Sequence, residues 1–243
     1  MKTIVRTPPQ VMIVVSNYEA GKIMLIATKS SYRLLGLLIC SLILFGSLKT
    51  AMAQDTPADT PLDVSQLRFS HISTEDGLSQ ATVLAIYQDS RGFMWFGTLF
   101  GLNRFDGYTI KTYQYDPSDI TSLAGDNIMS ILEDSTGHLW IRSYNANGIS
   151  RYNYDADNFT RFAASDTPED GLPGNLVMGV VIDSQGYVWI GTDGGLAKFD
   201  NTAQQFSWYL HQGDDPNTLI SNDILSLRLD SQDNLWIATS AGI

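Results

Sequence analysis

Along residues 82–243 the apolar residues come in short runs of about five to seven, each closed by a turn rich in Asp, Ser and Gly. The first set is TVLAIYQ (82–88), FMWFGT (93–98), LNRFD (102–106) and TIKTYQY (109–115), followed by a long polar loop, DPSDITSLAGDN (116–127). Val, Ile, Tyr, Phe, Trp and Thr dominate the runs, the residue types that pack well on a pleated surface. Each run is too short for a packed helix and is bounded by turn formers. The pattern predicts four β-strands, a to d, joined by tight turns.

The same pattern then returns. Trp95, Trp140, Trp189 and Trp236 are separated by 45, 49 and 47 residues. Asp89, Asp134, Asp183 and Asp230 each stand six residues before one of these tryptophans, and Leu78, Leu123, Leu172 and Leu219 each stand seventeen before. A period near 45 built of strands is the signature of propeller blades. The predicted fold is all-β, an incomplete β-propeller. Blade 1 is expected at about 80–116, blade 2 at about 126–162, blade 3 at about 175–210 and half of a fourth at 222–243. The segment LRFSHIS (67–73) aligns with the later strands d and is expected to be an orphan outer strand. About three and a half blades are fewer than the four to eight that close a ring. The sequence is therefore expected to be the amino-terminal piece of a longer protein.

Within the repeated phrase the residue types have physical roles. Asp and Ser are expected to cap the a–b turn by accepting from its own N–H groups, and Gly to supply a positive φ. The Trp is expected to bury its ring between neighbouring sheets. Ala85, Ser130, Gly179 and Ser226 form a column of small residues in strand a, where radially arranged strands must crowd. Strands a lack clean alternation, which suggests burial on both faces.

Charge divides the chain. Residues 1–53 hold six of the fifteen Lys and Arg but one acid, Glu19, and contain the apolar run LLGLLICSLILFGSL (34–48). A run of this length behind basic residues and before AMA (51–53) reads as a secretory signal, with Met24 as an alternative start and an uncleaved anchor as the competing reading. Residues 54–66 read as a flexible Pro/Asp-rich leader. The remainder carries 25 acids against 9 bases, which excludes nucleic acid and anionic lipid as partners. It has no cysteine, so thiolate chemistry and disulfides are excluded as well.

The phrase D-S-x-G-x-x-W-[IF]-G-T-x-x-G-L, ending in RFD or KFD, and the opening stretch FSHISTEDGLS (69–79) resemble the two-component regulator propeller repeat. The resemblance covers about residues 67–243. It implies a periplasmic sensor region tethered to the inner membrane, with a histidine kinase or diguanylate cyclase as the output domain of the full-length parent. It further implies a small ligand, with oligosaccharides sensed by some members, and a homodimeric full-length form. Two departures stand out: Arg142-Ser143 replaces Gly-Thr in the second copy, and Asp233 replaces the turn glycine in the fourth.

No metal site, cofactor or catalytic residue is expected. The repeated Asp residues read as turn caps, too far apart to share an ion. His71, His138 and His211 are isolated from one another, and no nucleophile-elbow, zinc-binding or phosphate-cradling motif occurs. The second copy offers the best ligand-binding candidates: Arg142, Tyr144, Asn145 and Asn147 stand in a b–c turn longer than its counterparts. Planar donors and an aromatic ring suit a hydroxyl-rich or anionic ligand; a tolerated surface insertion is the competing reading. The competing functional classes are an exported propeller enzyme, such as a polysaccharide lyase or glycosidase, and an interaction scaffold.

Overall fold

A computed structural model describes residues 69–243. The expectations for 1–53, Met24 and 54–66 lie outside the described residues. His71–Ile243 forms one compact unit. It opens with a short 3₁₀ turn, Thr74–Asp76, capped by the Ser73 side chain.

Fourteen strands follow in chain order. Strands β1 (Val83–Gln88), β2 (Met94–Thr98), β3 (Gly101–Phe105) and β4 (Ile110–Tyr113) form the first sheet, paired in sequence order. Strands β5 (Ile128–Glu133), β6 (Leu139–Ser143), β7 (Ile149–Asn153) and β8 (Asn158–Phe162) form the second. The third contains β9 (Val177–Ile182), β10 (Val188–Thr192), β11 (Gly195–Asp200) and β12 (Gln205–Tyr209). A two-stranded sheet, β13 (Ile224–Leu229) and β14 (Leu235–Thr239), comes last. Every pairing within a sheet is antiparallel. The fold is an incomplete β-propeller.

Successive sheets meet through their first strands: β1 and β2 lie against β5, β6 against β9, and β9 and β10 against β13. Each seam has its own apolar cluster. Trp95, Leu102 and Tyr113 of the first sheet meet Ile131, Ile141, Tyr152 and Phe159 of the second. Trp140 and Ile149 of the second meet Val188, Ile190 and Phe199 of the third. Tyr113 stacks on Trp95 at 5.9 Å between centroids while Tyr152 meets its ring edge-on at 4.9 Å. Phe162 and Phe199 do the same for Trp140, at 5.4 and 5.1 Å. Burying one indole removes enough apolar surface for about 4–6 kcal/mol of transfer free energy. An exposed ion pair contributes about 0–1 kcal/mol, so the seams are held by rings rather than charges.

Tryptophan burial follows the order of the sheets. Trp95 and Trp140 are 0% exposed, Trp189 is partly buried against β13 and β14, and Trp236, with no described sheet beyond it, is 54% exposed. Leu123 and Leu172, in the long loops, drop into the first two seams and are fully buried.

Two expectations need correction. Of the orphan outer strand expected at 67–73, the described part, 69–73, belongs to no strand. A strand requires a hydrogen-bonded neighbour, and this segment is paired in none of the described sheets. Burial of strands a on both faces also fails at β1, which has no described sheet before it and alternates between half-buried and exposed positions, whereas β5 and β9 are exposed only at Met129 and Met178. Their broken alternation has another cause. Each carries a bulge or register shift near its start: at Val83/Ala85, Ile128/Ser130, opposite Gly191/Thr192, and at Ile224/Ser226. The extra residue is Leu84, Met129, Met178 or Leu225, and all four are exposed. A bulge leaves one residue unpaired and turns it outward, which breaks the period of two.

Candidate functional site

The repeated Asp does more than cap a turn. Asp89 accepts from the N–H groups of Arg91 and Phe93 through Oδ1, and from Trp95 Nε1–H through Oδ2 at 2.6 Å. The same three bonds recur at Asp134, Asp183 and Asp230, with indole distances of 2.8, 2.7 and 3.0 Å. The carboxylate thus fixes both the turn and the ring that fills the seam. The constant six-residue spacing from Asp to Trp was the available sequence signal for this bond.

The following Ser acts differently from expectation. Ser90 donates through its N–H and its hydroxyl to Glu133 of the next sheet, at 2.8 and 2.5 Å. Ser184 does the same to Asp233, with its hydroxyl at 2.6 Å. Asp233 sits at φ +66, so it fills the left-handed turn position of the missing glycine while its carboxylate receives Ser184. Ser90 and Ser184 therefore tie sheets together, because their donors point away from the turn.

A second inter-sheet tie was not legible in the sequence. Asp157, at φ +51 in the β7–β8 turn, accepts from Tyr113, Tyr152, Arg104 and Lys111. Burial would raise its pKa, but the bonds from Lys111, Tyr113 and Tyr152 and the Arg104 charge outweigh that and hold it at about 2. Burial and the bond to Asp157 push the Tyr152 phenol up to about 12, and Tyr113 well above its usual range. At the next seam Arg151 Nη1 donates to Gln204 at 2.8 Å, the corresponding pair with a neutral acceptor. A cation in strand c thus reaches the c–d turn of the following sheet.

The long loops and the b–c turns share one face. Gly101 N–H donates to Asp126 of the following long loop at 2.7 Å, and Gly148 N–H to Asn175 at 2.9 Å. On that face the four predicted ligand residues separate into two groups. Tyr144, Asn145 and Asn147 are exposed in the β6–β7 turn. The turn is pinned at both ends by Tyr144 N–H on Asn127 and by Gly148 N–H, and Ala146 is buried between. Asn145 adopts φ +52, a conformation Asn tolerates better than most residues.

Arg142 belongs to β6 instead of the turn. It is half-buried, and its Nη1 reaches the Val177 carbonyl of the third sheet at 3.4 Å. Burial lowers its pKa from the usual guanidinium range. Three clefts elsewhere, of about 690, 420 and 180 Å³, are lined by other residues, the first two beside β14 and the third beside Asp157. Among the described residues no group of three or more His, Cys, Asp or Glu side chains is placed to hold a metal ion. His138 Nδ1 is hydrogen-bonded to the Thr136 hydroxyl and His211 Nδ1 to the Leu219 carbonyl.

The Asp-to-Trp phrase, with the leucine before it and the b–c turn after it, matches the family profile of the two component regulator propeller at residues 77–100, 122–145, 171–194 and 218–241. These are two-component regulator propeller repeats. The chain shares 47% identity over 60 residues with the protein named Histidine kinase P4 of Formosa agariphila, a match covering 25% of this chain and 4% of that protein. The chain also resembles the extracellular domain named as that of a hybrid two component system from B. thetaiotaomicron. There the TM-score is 0.52 at 21% identity, over 70% of this chain and 22% of the other. A second structure of that domain, named as that of a one component system, gives a TM-score of 0.53 at 21% identity, over 71% and 22%. At that identity the likeness concerns the propeller fold. The chain thus spans a small part of each of these three.

Proposed function

We propose that this chain is the ligand-sensing propeller region of an exported, membrane-tethered signalling protein with a histidine kinase output. The segment shared with a protein named as a histidine kinase supports the kinase over a diguanylate cyclase. The loop face is the recognition surface, and an oligosaccharide is the ligand class. The observation that carries this reading is the β6–β7 turn, in which Tyr144, Asn145 and Asn147 are exposed on a turn anchored at both ends. A ring that can stack on a sugar face beside amide groups that match hydroxyls is a carbohydrate-binding combination. Anchoring also lowers the entropy lost on binding. The ligand changes signalling by binding one of two states of the full-length dimer more tightly than the other.

Isothermal titration of the complete sensory region against an oligosaccharide panel tests this. Binding of at least one member, weakened about tenfold or more by Tyr144→Ala, is the expected result. Absence of binding to every member would remove the carbohydrate reading.

A further inference from the structure

Arg142 occupies a position that the fold otherwise gives to its smallest residues. It pairs with Ser130 as Gly97 pairs with Ala85, Gly191 with Gly179 and Ala238 with Ser226. The space explains the glycines. A Cβ on Gly97 would come within 2.6 Å of Ile128 Cγ2, and one on Gly191 within 2.6 Å of Ile224 Cγ2. In the second sheet the facing residue is Val177, smaller than either isoleucine by one methylene, and the column holds a long cation.

That cation is underused by the protein. Its one side-chain hydrogen bond to a described residue is the 3.4 Å contact to Val177, although a guanidinium has five donors. No described carboxylate lies within ion-pair reach of it. The other half-buried arginines differ. Arg104 meets Asp157, Arg151 meets Gln204, and Arg161 donates to the carbonyls of Asp116, Asp119 and Ser122. A half-buried charge with no counter-charge is costly to keep in a seam where glycine fits. Two residues further along, the chain enters the anchored turn bearing Tyr144, Asn145 and Asn147.

We infer that Arg142 is the anion-recognising residue of this loop face, binding a carboxylate or sulfate group of the ligand and selecting acidic over neutral oligosaccharides. A guanidinium pairs with either oxyanion through two parallel N–H bonds, a geometry a lysine ammonium does not offer, and the guanidinium of Arg161 is already taken up by the loop carbonyls. The inference rests on the carbohydrate reading of the same face and adds the charge of the ligand.

The test uses the complete sensory region, titrated with size-matched neutral, uronate-containing and sulfated oligosaccharides. The Arg142→Gly and Arg142→Lys variants are titrated alongside. Arg142→Gly restores the residue that the fold uses at the equivalent positions of the first and third sheets, so the variant keeps its fold. One of the two acidic sugars binds the wild type more tightly than the neutral one and identifies the oxyanion. Arg142→Gly weakens that binding by about tenfold to a hundredfold and leaves neutral binding unchanged, since hydrogen bonds to charged groups are the stronger class. Arg142→Lys, which keeps charge but not the fork, recovers part of the loss.

The charge claim is read separately through the Arg142 Nε–H NMR resonance during titration with acetate and with sulfate. A saturating shift at millimolar salt upholds anion binding even where every sugar fails, and that pattern removes the carbohydrate reading alone. Equal wild-type affinity for neutral and acidic sugars, unchanged acidic binding in Arg142→Gly, or an Arg142 resonance insensitive to both ions would each overturn the inference.

Discussion

At the scale of single residues, the structure is governed by a carboxylate that performs two tasks. Asp134 holds its turn through the N–H groups of Thr136 and His138 and holds the indole of Trp140 from 2.8 Å, in a buried setting. Asp134→Ala removes the acceptor and leaves a buried indole N–H unpaired, so a loss of about 2–4 kcal/mol is expected from urea unfolding. Asp230→Ala should cost far less, because its partner Trp236 is exposed to water that can replace the carboxylate. Equal losses at the two sites would contradict this assignment. The sequence made the turn legible, through the Asp and the Gly, but not the Asp–indole bond. Turn chemistry is local, whereas the indole's direction depends on which seam it fills.

At the scale of elements, strands and turns were readable because short runs of β-branched and aromatic residues and the turn residues that close them are local signals. The first sheet was expected at 82–88, 93–98, 102–106 and 109–115 and forms at Val83–Gln88, Met94–Thr98, Gly101–Phe105 and Ile110–Tyr113. The bulges at Leu84, Met129 and Leu225 were not readable, because an inserted residue looks like a lost alternation. Arg142 was placed in a turn because its neighbours are turn-like, although the last residues of β6 are Arg142 and Ser143. The Asp157 tie joins residues more than forty positions apart, beyond any local pattern.

That tie has a testable pH signature. Asp157 titrates near 2 in the folded chain, below its ordinary 3.8, so its contribution is complete above about pH 4 and is lost as pH falls towards 2. Asp157→Asn should lower the thermal midpoint at neutral pH and flatten its fall over that window. The flattening is partial, because Asp106, Asp116, Asp119 and Asp200 are lowered in the same direction by their own turn hydrogen bonds. A variant curve parallel to the wild type would contradict the assignment.

At the scale of the molecule, the central claim is that four sheets follow one another in chain order and that each tryptophan is sealed by the sheet after it. Nearest-neighbour stacking of this kind makes burial a property of position in the row, even where the local sequence is the same. Trp95 and Trp236 stand at the same place in the repeated phrase yet differ from complete burial to 54% exposure. The most direct measurement is ¹⁹F NMR of the full chain carrying 5-fluorotryptophan, its five resonances assigned by single Trp→Phe replacements and read by the shift between H₂O and D₂O. The account predicts almost no solvent shift at Trp95 and Trp140, an intermediate one at Trp189 and a large one at Trp236. Similar shifts at all four repeat positions, or a protected Trp236 beside an exposed Trp95, would contradict it.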